Sequence, residues 1–93
     1  MAAEVHDHSV PRQNLEVRIR STGGTILLAR YDQAYELPEV AAFIWRRVNG
    51  CDRVEDISRA VAEHYGIDAG TALADTAEML EWLRGEELVL LGD

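Results

Sequence analysis

From Leu15 the chain alternates, with Leu15, Val17 and Ile19 set against Glu16, Arg18 and Arg20. A period of two turns one set toward a core and the other toward water, which predicts a half-buried strand. Ser21, Thr22, Gly23 and Gly24 then predict a hairpin turn, because glycine tolerates the positive φ of a tight reversal. Thr25 to Arg30 predicts a second strand, Asp32-Gln33 a turn, and Gln33 to Leu37 a third. Short turns between consecutive strands imply an antiparallel meander.

At Pro38 the period changes to that of a helix. Proline needs no donor and holds φ near the helical value, so it suits a first-turn position, while Leu37 before it is driven toward extended geometry. The first helix is predicted from Pro38 to Val48, with Val40, Ile44 and Val48 on one face and Asn49-Gly50 as a left-handed stop. Asp52 and Glu55 predict a capping box for the second, whose buried stripe is Ile57, Ala60, Val61 and His64 or Tyr65. Gly66 ends it, Ile67 folds back over its last turn, and Asp68 caps a third helix from Ala69 to Arg84. On that helix Leu73, Ala77, Leu80 and Arg84 share a face, with Leu83 beside them. Gly85 breaks it, and Leu88 to Leu91 must be packed, since four exposed apolar residues would aggregate.

The expected fold class is therefore α+β and winged-helix-turn-helix-like, an N-terminal three-stranded antiparallel sheet packed on a three-helix bundle. Residues 1–13 carry no apolar period and are expected as a flexible tail, leaving residues 14–91 as one domain. At 93 residues, 47% hydrophobic and 28% charged, the composition is that of a globular chain. No apolar run reaches the roughly 18 residues of a membrane span, and the N-terminus lacks a signal-peptide pattern. A cytoplasmic protein with no membrane partner is expected.

Charge changes the picture further. Residues 1–31 hold four Arg against three acids, a net of +1, whereas residues 32–93 hold five Arg against fourteen acids, a net of −9. Such a helical half repels polyanions and attracts basic peptides. A winged helix meeting DNA must neutralise phosphates, yet the third helix and its end carry Asp75, Glu78, Glu81, Glu86 and Glu87 against Arg84. No nucleic-acid partner is expected. The weighed alternative is a winged-helix regulatory domain.

Catalytic constellations are missing from the sequence: no glycine-rich phosphate loop, no plausible Ser-His-Asp set, no helical His pair at i, i+4. Cys51 is the single cysteine, so no internal disulfide or cysteine-rich metal site exists. His6-x-His8 in a tail lacks a second half-site and is read as incidental. No catalytic residue, metal or cofactor is expected, and the chain is read as a non-enzyme.

Peptide binding suits the same architecture. The third predicted strand offers free backbone groups to an extended peptide, and the third helix forms the opposite wall. Trp82 lies roughly opposite the Leu73/Leu80 stripe with Met79 near its side, which marks a second contact surface. The candidate peptide-binding residues are Gln33, Ala34, Tyr35, Glu36 and Leu37 on the strand. On the helix they are Ala72, Asp75, Thr76, Met79, Trp82 and Leu83.

The ordered set Gly24-x-Ile26-Leu27-Leu28, Tyr35-x-Leu37, Ala42, Ile44/Trp45, Asn49-Gly50, Val54-x-x-Ile57, Tyr65, Asp75, Leu80-x-x-Leu83 and Leu88-Val89 resembles the PqqD-like family. These are recognition elements for ribosomally made, post-translationally modified peptides, and the resemblance covers residues 15–91. Pro38 and Asn49 depart from the usual pattern at capping positions, away from the peptide groove. The resemblance implies a stand-alone, non-catalytic adaptor. A precursor's leader adds as a strand beside the third strand and is presented to partner enzymes. A lasso-type leader protease and cyclase are favoured. The alternative is a chaperone for a radical peptide-modifying enzyme. A monomer or weak homodimer is expected, because the same edge is able to pair with a second copy.

Overall fold

The computed structural model describes residues 5–92. Its elements are β1 (Val10–Gln13), β2 (Arg18–Thr22), β3 (Thr25–Arg30), β4 (Gln33–Leu37), α1 (Glu39–Arg46), α2 (Val54–Tyr65), α3 (Ala69–Gly85) and β5 (Val89–Gly92). Strands β2, β3 and β4 form the antiparallel meander, and β1 pairs antiparallel with β5 in a separate two-stranded ribbon. The fold is α+β, three helices beside antiparallel strands.

Two tight turns set the meander. Gly23 and Gly24 both have positive φ, 57° and 85°, as a primed two-residue hairpin turn requires. The next turn, between Arg30 and Gln33, is carried by Tyr31 at φ 56°, which is uncommon for a residue with a side chain. On β3, Ile26 and Leu28 face the helices and are buried, Leu28 completely.

The first strand starts later than its alternation suggests. Asn14 Oδ1 accepts from the Glu16 N–H and the Asn14 carbonyl accepts from the Val17 N–H, so residues 14–17 form a turn. Val17 is buried there, but Leu15 is 94% exposed and Ile19 on β2 is 52% exposed. Part of the expected tail is likewise a strand. The Pro11 carbonyl turns away from β5 to accept from the Gly50 N–H, so the donor that proline lacks would have faced the same way and costs no ladder bond. The Ser9 carbonyl accepts from the Val54 N–H, joining this segment to α2 as well. Residues 1–4 of the expected tail lie outside the described residues.

Each helix shows a small shift from its expected frame. In α1, capped by Pro38, the buried face is Ala41, Ala42, Ile44 and Trp45 followed by Val48, while Val40 is at the surface. The helix ends at Arg46, with Arg47 as its C-cap. Asn49 and Gly50 instead build the inter-helix turn, where Asn49 Oδ1 accepts from the Cys51 and Asp52 N–H groups and Gly50 has φ 79°. The α2 cap falls one residue later than Asp52, with the Arg53 N–H donating to Asp56 Oδ2. Its buried residues are Val54, Ile57, Ser58 and Val61, with Tyr65 half-buried and His64 exposed against Phe43.

Gly66 ends α2 in the left-handed conformation, and Asp68 caps α3 by accepting from the Thr71 N–H and hydroxyl. Those two bonds, hydroxyl first, hold the Asp68 carboxyl below the ordinary carboxylate range. The core face of α3 is Ala72, Thr76, Leu80 and Leu83, turned by one residue from the expected Leu73 and Ala77. Small side chains at Ala72 and Thr76 allow close approach, and the bulkier Leu73 sits at the flank. Leu88 and Val89 are fully buried, so the C-terminal apolar run is packed.

Burial separates two leucines that look alike in the sequence. Leu28→Ala is expected to cost about 2–5 kcal/mol through lost packing and a residual cavity. Leu15→Ser stays within about 0.5 kcal/mol, because the side chain is already in water. Urea denaturation of both variants checks the contrast, and a large loss at Leu15 would mean that it is packed.

Candidate functional site

Strand β4 lies at the rim of its sheet, with β3 on one side and no described strand on the other. Arg30 and Gln33 close a two-residue hairpin loop and therefore exchange both hydrogen bonds, and such pairs alternate along an antiparallel ladder. Gln33, Tyr35 and Leu37 thus direct their backbone groups to β3. Ala34 and Glu36 direct theirs outward, and neither N–H bonds to another loop or element among the described residues. The strand offers two N–H and two C=O groups along an open edge.

Side chains alternate between the two faces of the sheet. Leu37 is buried in the core and Tyr35 is half-buried, while Gln33, Ala34 and Glu36 are exposed. The Tyr35 ring meets Trp82 of α3 edge-on, with centroids 5.6 Å apart and planes at 85°. Its hydroxyl donates to Glu86 Oε1 at 2.6 Å. That bond stabilises the protonated phenol and raises the Tyr35 pKa above its ordinary value; burial and the nearby carboxylate charge add to the effect, and Arg30 opposes it.

Asp75, Met79 and Trp82 on α3 and Glu86 at its C-cap recur at intervals of four, three and four, so they form one stripe along the helix. Trp82 is 42% exposed, Asp75 and Glu86 are exposed, and Met79 is half-buried against the core. Stripe and strand meet at the Tyr35 ring, which touches Trp82 and Glu86 in a groove between β4 and the C-terminal end of α3. Beyond Tyr35 it opens into a cleft of about 330 Å³ bounded by Arg30, Tyr31, Gln33, Glu86 and Glu87. Arg30 lies over the Tyr31 ring and pairs with Glu87 at 3.3 Å and Glu16 at 3.5 Å, so its charge is compensated twice.

The structure brings Tyr35 against Trp82 and Glu86, with Asp75 and Met79 on the same side of α3 as Trp82, whereas the Ala34 side chain is on the other face of the sheet beside Arg18, Ile19, Leu27 and Ala29. It sets Ala72, Thr76 and Leu83 apart, since each is fully buried and supports the wall from behind. The Thr76 hydroxyl is buried without a hydrogen-bond partner. Glu86 is the groove residue that sequence reasoning passed over. Its signal was the four-residue step from Trp82, obscured because Glu86 follows the expected helix end at Arg84 and is the C-cap in the structure.

Among the described residues, no three His, Cys, Asp or Glu side chains converge as metal ligands, and no helix is long and apolar enough to cross a membrane. Cys51 is exposed in the turn before α2. What the site offers is backbone pairing beside an aromatic and acidic wall.

A family model described as Coenzyme PQQ synthesis protein D (PqqD) matches residues 18–89. Among solved structures, TbiB1 in complex with the TbiA(beta) leader peptide superposes with a TM-score of 0.76 at 22% identity, covering 84% of this chain and 93% of that one. The PqqD truncation of Methylobacterium extorquens PqqCD, a functional stand-alone recognition element for ribosomally synthesised and post-translationally modified peptides, has a TM-score of 0.72 at 24% identity. It covers 87% of this chain and 88% of that one. These likenesses establish the shared fold. A comparison with curated protein sequences gives no match.

The Tyr35–Glu86 bond has a measurable signature. Glu86→Gln is expected to bring Tyr35 ionisation down toward the ordinary tyrosine value, read by absorbance titration against Tyr35→Phe. A raised native pKa stabilises the fold fully below the unfolded value, about 10, and that contribution is lost as pH rises through the native value. An unchanged titration in Glu86→Gln would place the cause elsewhere.

Proposed function

This chain belongs to the PqqD family, and from that membership we propose that it is a non-catalytic adaptor for the leader of a ribosomally made precursor peptide. The leader adds as a strand to β4, takes the outward backbone groups of Ala34 and Glu36, and lays alternate side chains against Met79 and Trp82. The observation that carries this reading is an open strand edge whose free donors lie beside a wall with an exposed tryptophan. TbiB1, which shares the fold, holds a leader peptide.

Backbone pairing alone gives little selectivity. Ordering a flexible peptide costs on the order of 2–5 kcal/mol, so the apolar wall has to supply anchoring contacts. The adaptor's task is to hold the leader while other proteins act on the rest of the precursor. A leader protease and cyclase of a lasso-type pathway are the proposed partners. Service to a radical peptide-modifying enzyme is the second reading, favoured by the likeness to the PqqD part of PqqCD. A winged-helix DNA reading is disfavoured by the exposed acids of α3.

Calorimetric titration with the leader of the cognate precursor, against a duplex DNA control, tests this function. Saturable leader binding with none to DNA is expected, and the reverse would overturn the reading. Ala34→Pro and Glu36→Pro remove an outward donor while leaving the β3 ladder intact, so each should weaken binding at least about tenfold, roughly 1.4 kcal/mol. Circular dichroism confirms that each variant folds. Full affinity in a folded proline variant would remove that amide from the docking edge.

Met79→Asp probes the opposite wall. It should weaken leader binding by a similar factor without loss of helical content, and unchanged affinity would move the anchor off this face of α3.

A further inference from the structure

The proposed groove also specifies which side chains its strand should carry, an inference that rests on the leader-binding reading. Among the described residues no cation pairs with Asp75, Glu78 or Glu86. The arginines near this face are already engaged, Arg84 with Glu81 and Arg30 with Glu16 and Glu87. The stripe along the wall therefore reads acid, apolar, apolar, acid: Asp75, Met79, Trp82, Glu86.

Its direction relative to β4 follows from the contacts. Arg30, opposite Gln33 at the start of β4, meets Glu87, while Tyr35, two residues on, meets Glu86 and Trp82. As β4 advances, α3 is met progressively nearer its N-terminus, so strand and helix run in opposite senses. Asp75 and Glu86, eleven residues apart, are separated by about 16 Å along the helix. In a strand, positions four apart lie on the same face at about 13 Å, and long basic side chains span the difference.

We propose that the groove selects an extended peptide with the pattern cation–x–apolar–x–cation on its groove-facing side. The central apolar side chain sits between Met79 and Trp82, and the two Lys or Arg side chains reach Asp75 and Glu86. The Glu86 carboxylate is already an acceptor for the Tyr35 hydroxyl and keeps a second oxygen for the incoming cation. An acidic peptide in the same place would face the Asp75 and Glu86 carboxylates, neither of which pairs with a cation among the described residues.

Three synthetic threonine-rich peptides of equal length test the pattern. The first carries a central Leu with Lys two positions to each side. The second has Glu in place of both Lys. The third keeps the net charge of the first but places each Lys next to the Leu, on the opposite face of the strand. Shifting that strand by one residue would present its Lys side chains but withdraw the Leu, so charge alone is no substitute for pattern. Titration of the isotopically labelled protein is followed at the Ala34 and Glu36 amides and the Trp82 indole.

The first peptide should shift those three signals and bind at least about threefold more tightly than the third, with the second weakest. Asp75→Asn combined with Glu86→Gln should abolish the difference between the first and third peptides. Equal affinity of all three, or preference for the acidic one, would overturn the pattern; shifts at Ala34 and Glu36 would then still support strand addition. Absence of shifts with every peptide also overturns the pattern, while saturable binding of the cognate leader would leave the adaptor reading standing.

Discussion

The reversal at Tyr31–Asp32 is the constraint from which the groove follows. It closes the β3–β4 hairpin in two residues and pairs Arg30 with Gln33. A slip of one residue would exchange the two faces of β4, moving Tyr35 and Leu37 toward water and Ala34 and Glu36 toward the helices. It would also exchange the inward and outward backbone groups. Left-handed backbone at Tyr31 costs about 1–2 kcal/mol, and the Arg30 guanidinium, 4.4 Å above its ring, offsets about 0.5–1 kcal/mol of that. Leu37, buried in the core beside α1, resists the slip from the other end of the strand.

Much of this arrangement was legible in the sequence because its signals are local. Gly23-Gly24 needs no partner to specify a primed turn, Pro38 marks the change from strand to helix within one residue, and Asp68 caps α3 through its own third neighbour. The antiparallel meander and the order of the three helices follow from such marks. Gln33 to Leu37 was recognisable as a strand, and its short turn to the preceding strand restricted how it pairs. The exposed Trp82 was legible for a related reason: a large aromatic outside the apolar stripe of its helix is visible as a break in period.

What was not legible depends on distant partners. Val10–Gln13 has no alternation to reveal it, and its strand geometry is supported by β5 and by the Gly50 and Val54 amides. Leu15 was misplaced because alternation is blind to a turn, and the Asn14 side chain that bonds the Glu16 N–H makes one there. On α3 the hydrophobic stripe pointed to Leu73 and Ala77, whereas close packing selects Ala72 and Thr76. Size rather than hydrophobicity decides that face, and it removes Ala72, Thr76 and Leu83 from the groove surface.

An adaptor built this way must obtain selectivity from a small part of its charge. The net charge of −8 attracts any basic chain, but at physiological ionic strength screening largely removes that attraction beyond about 8 Å. In the proposed complex, a peptide paired to β4 would therefore respond chiefly to the carboxylates that line its own path, while the acids elsewhere on α2 and α3 would act mainly on approach. Backbone bonds from Ala34 and Glu36 are indifferent to sequence, and the Tyr35–Trp82 wall accepts many apolar groups. Under the proposed pattern, positioned charges at the two ends of that wall would supply what neither can: a reason for one register of the bound strand to be preferred over its neighbours. Register is also what a partner enzyme would need, because a processing site held at a fixed distance from the adaptor is useful only when the strand cannot slide.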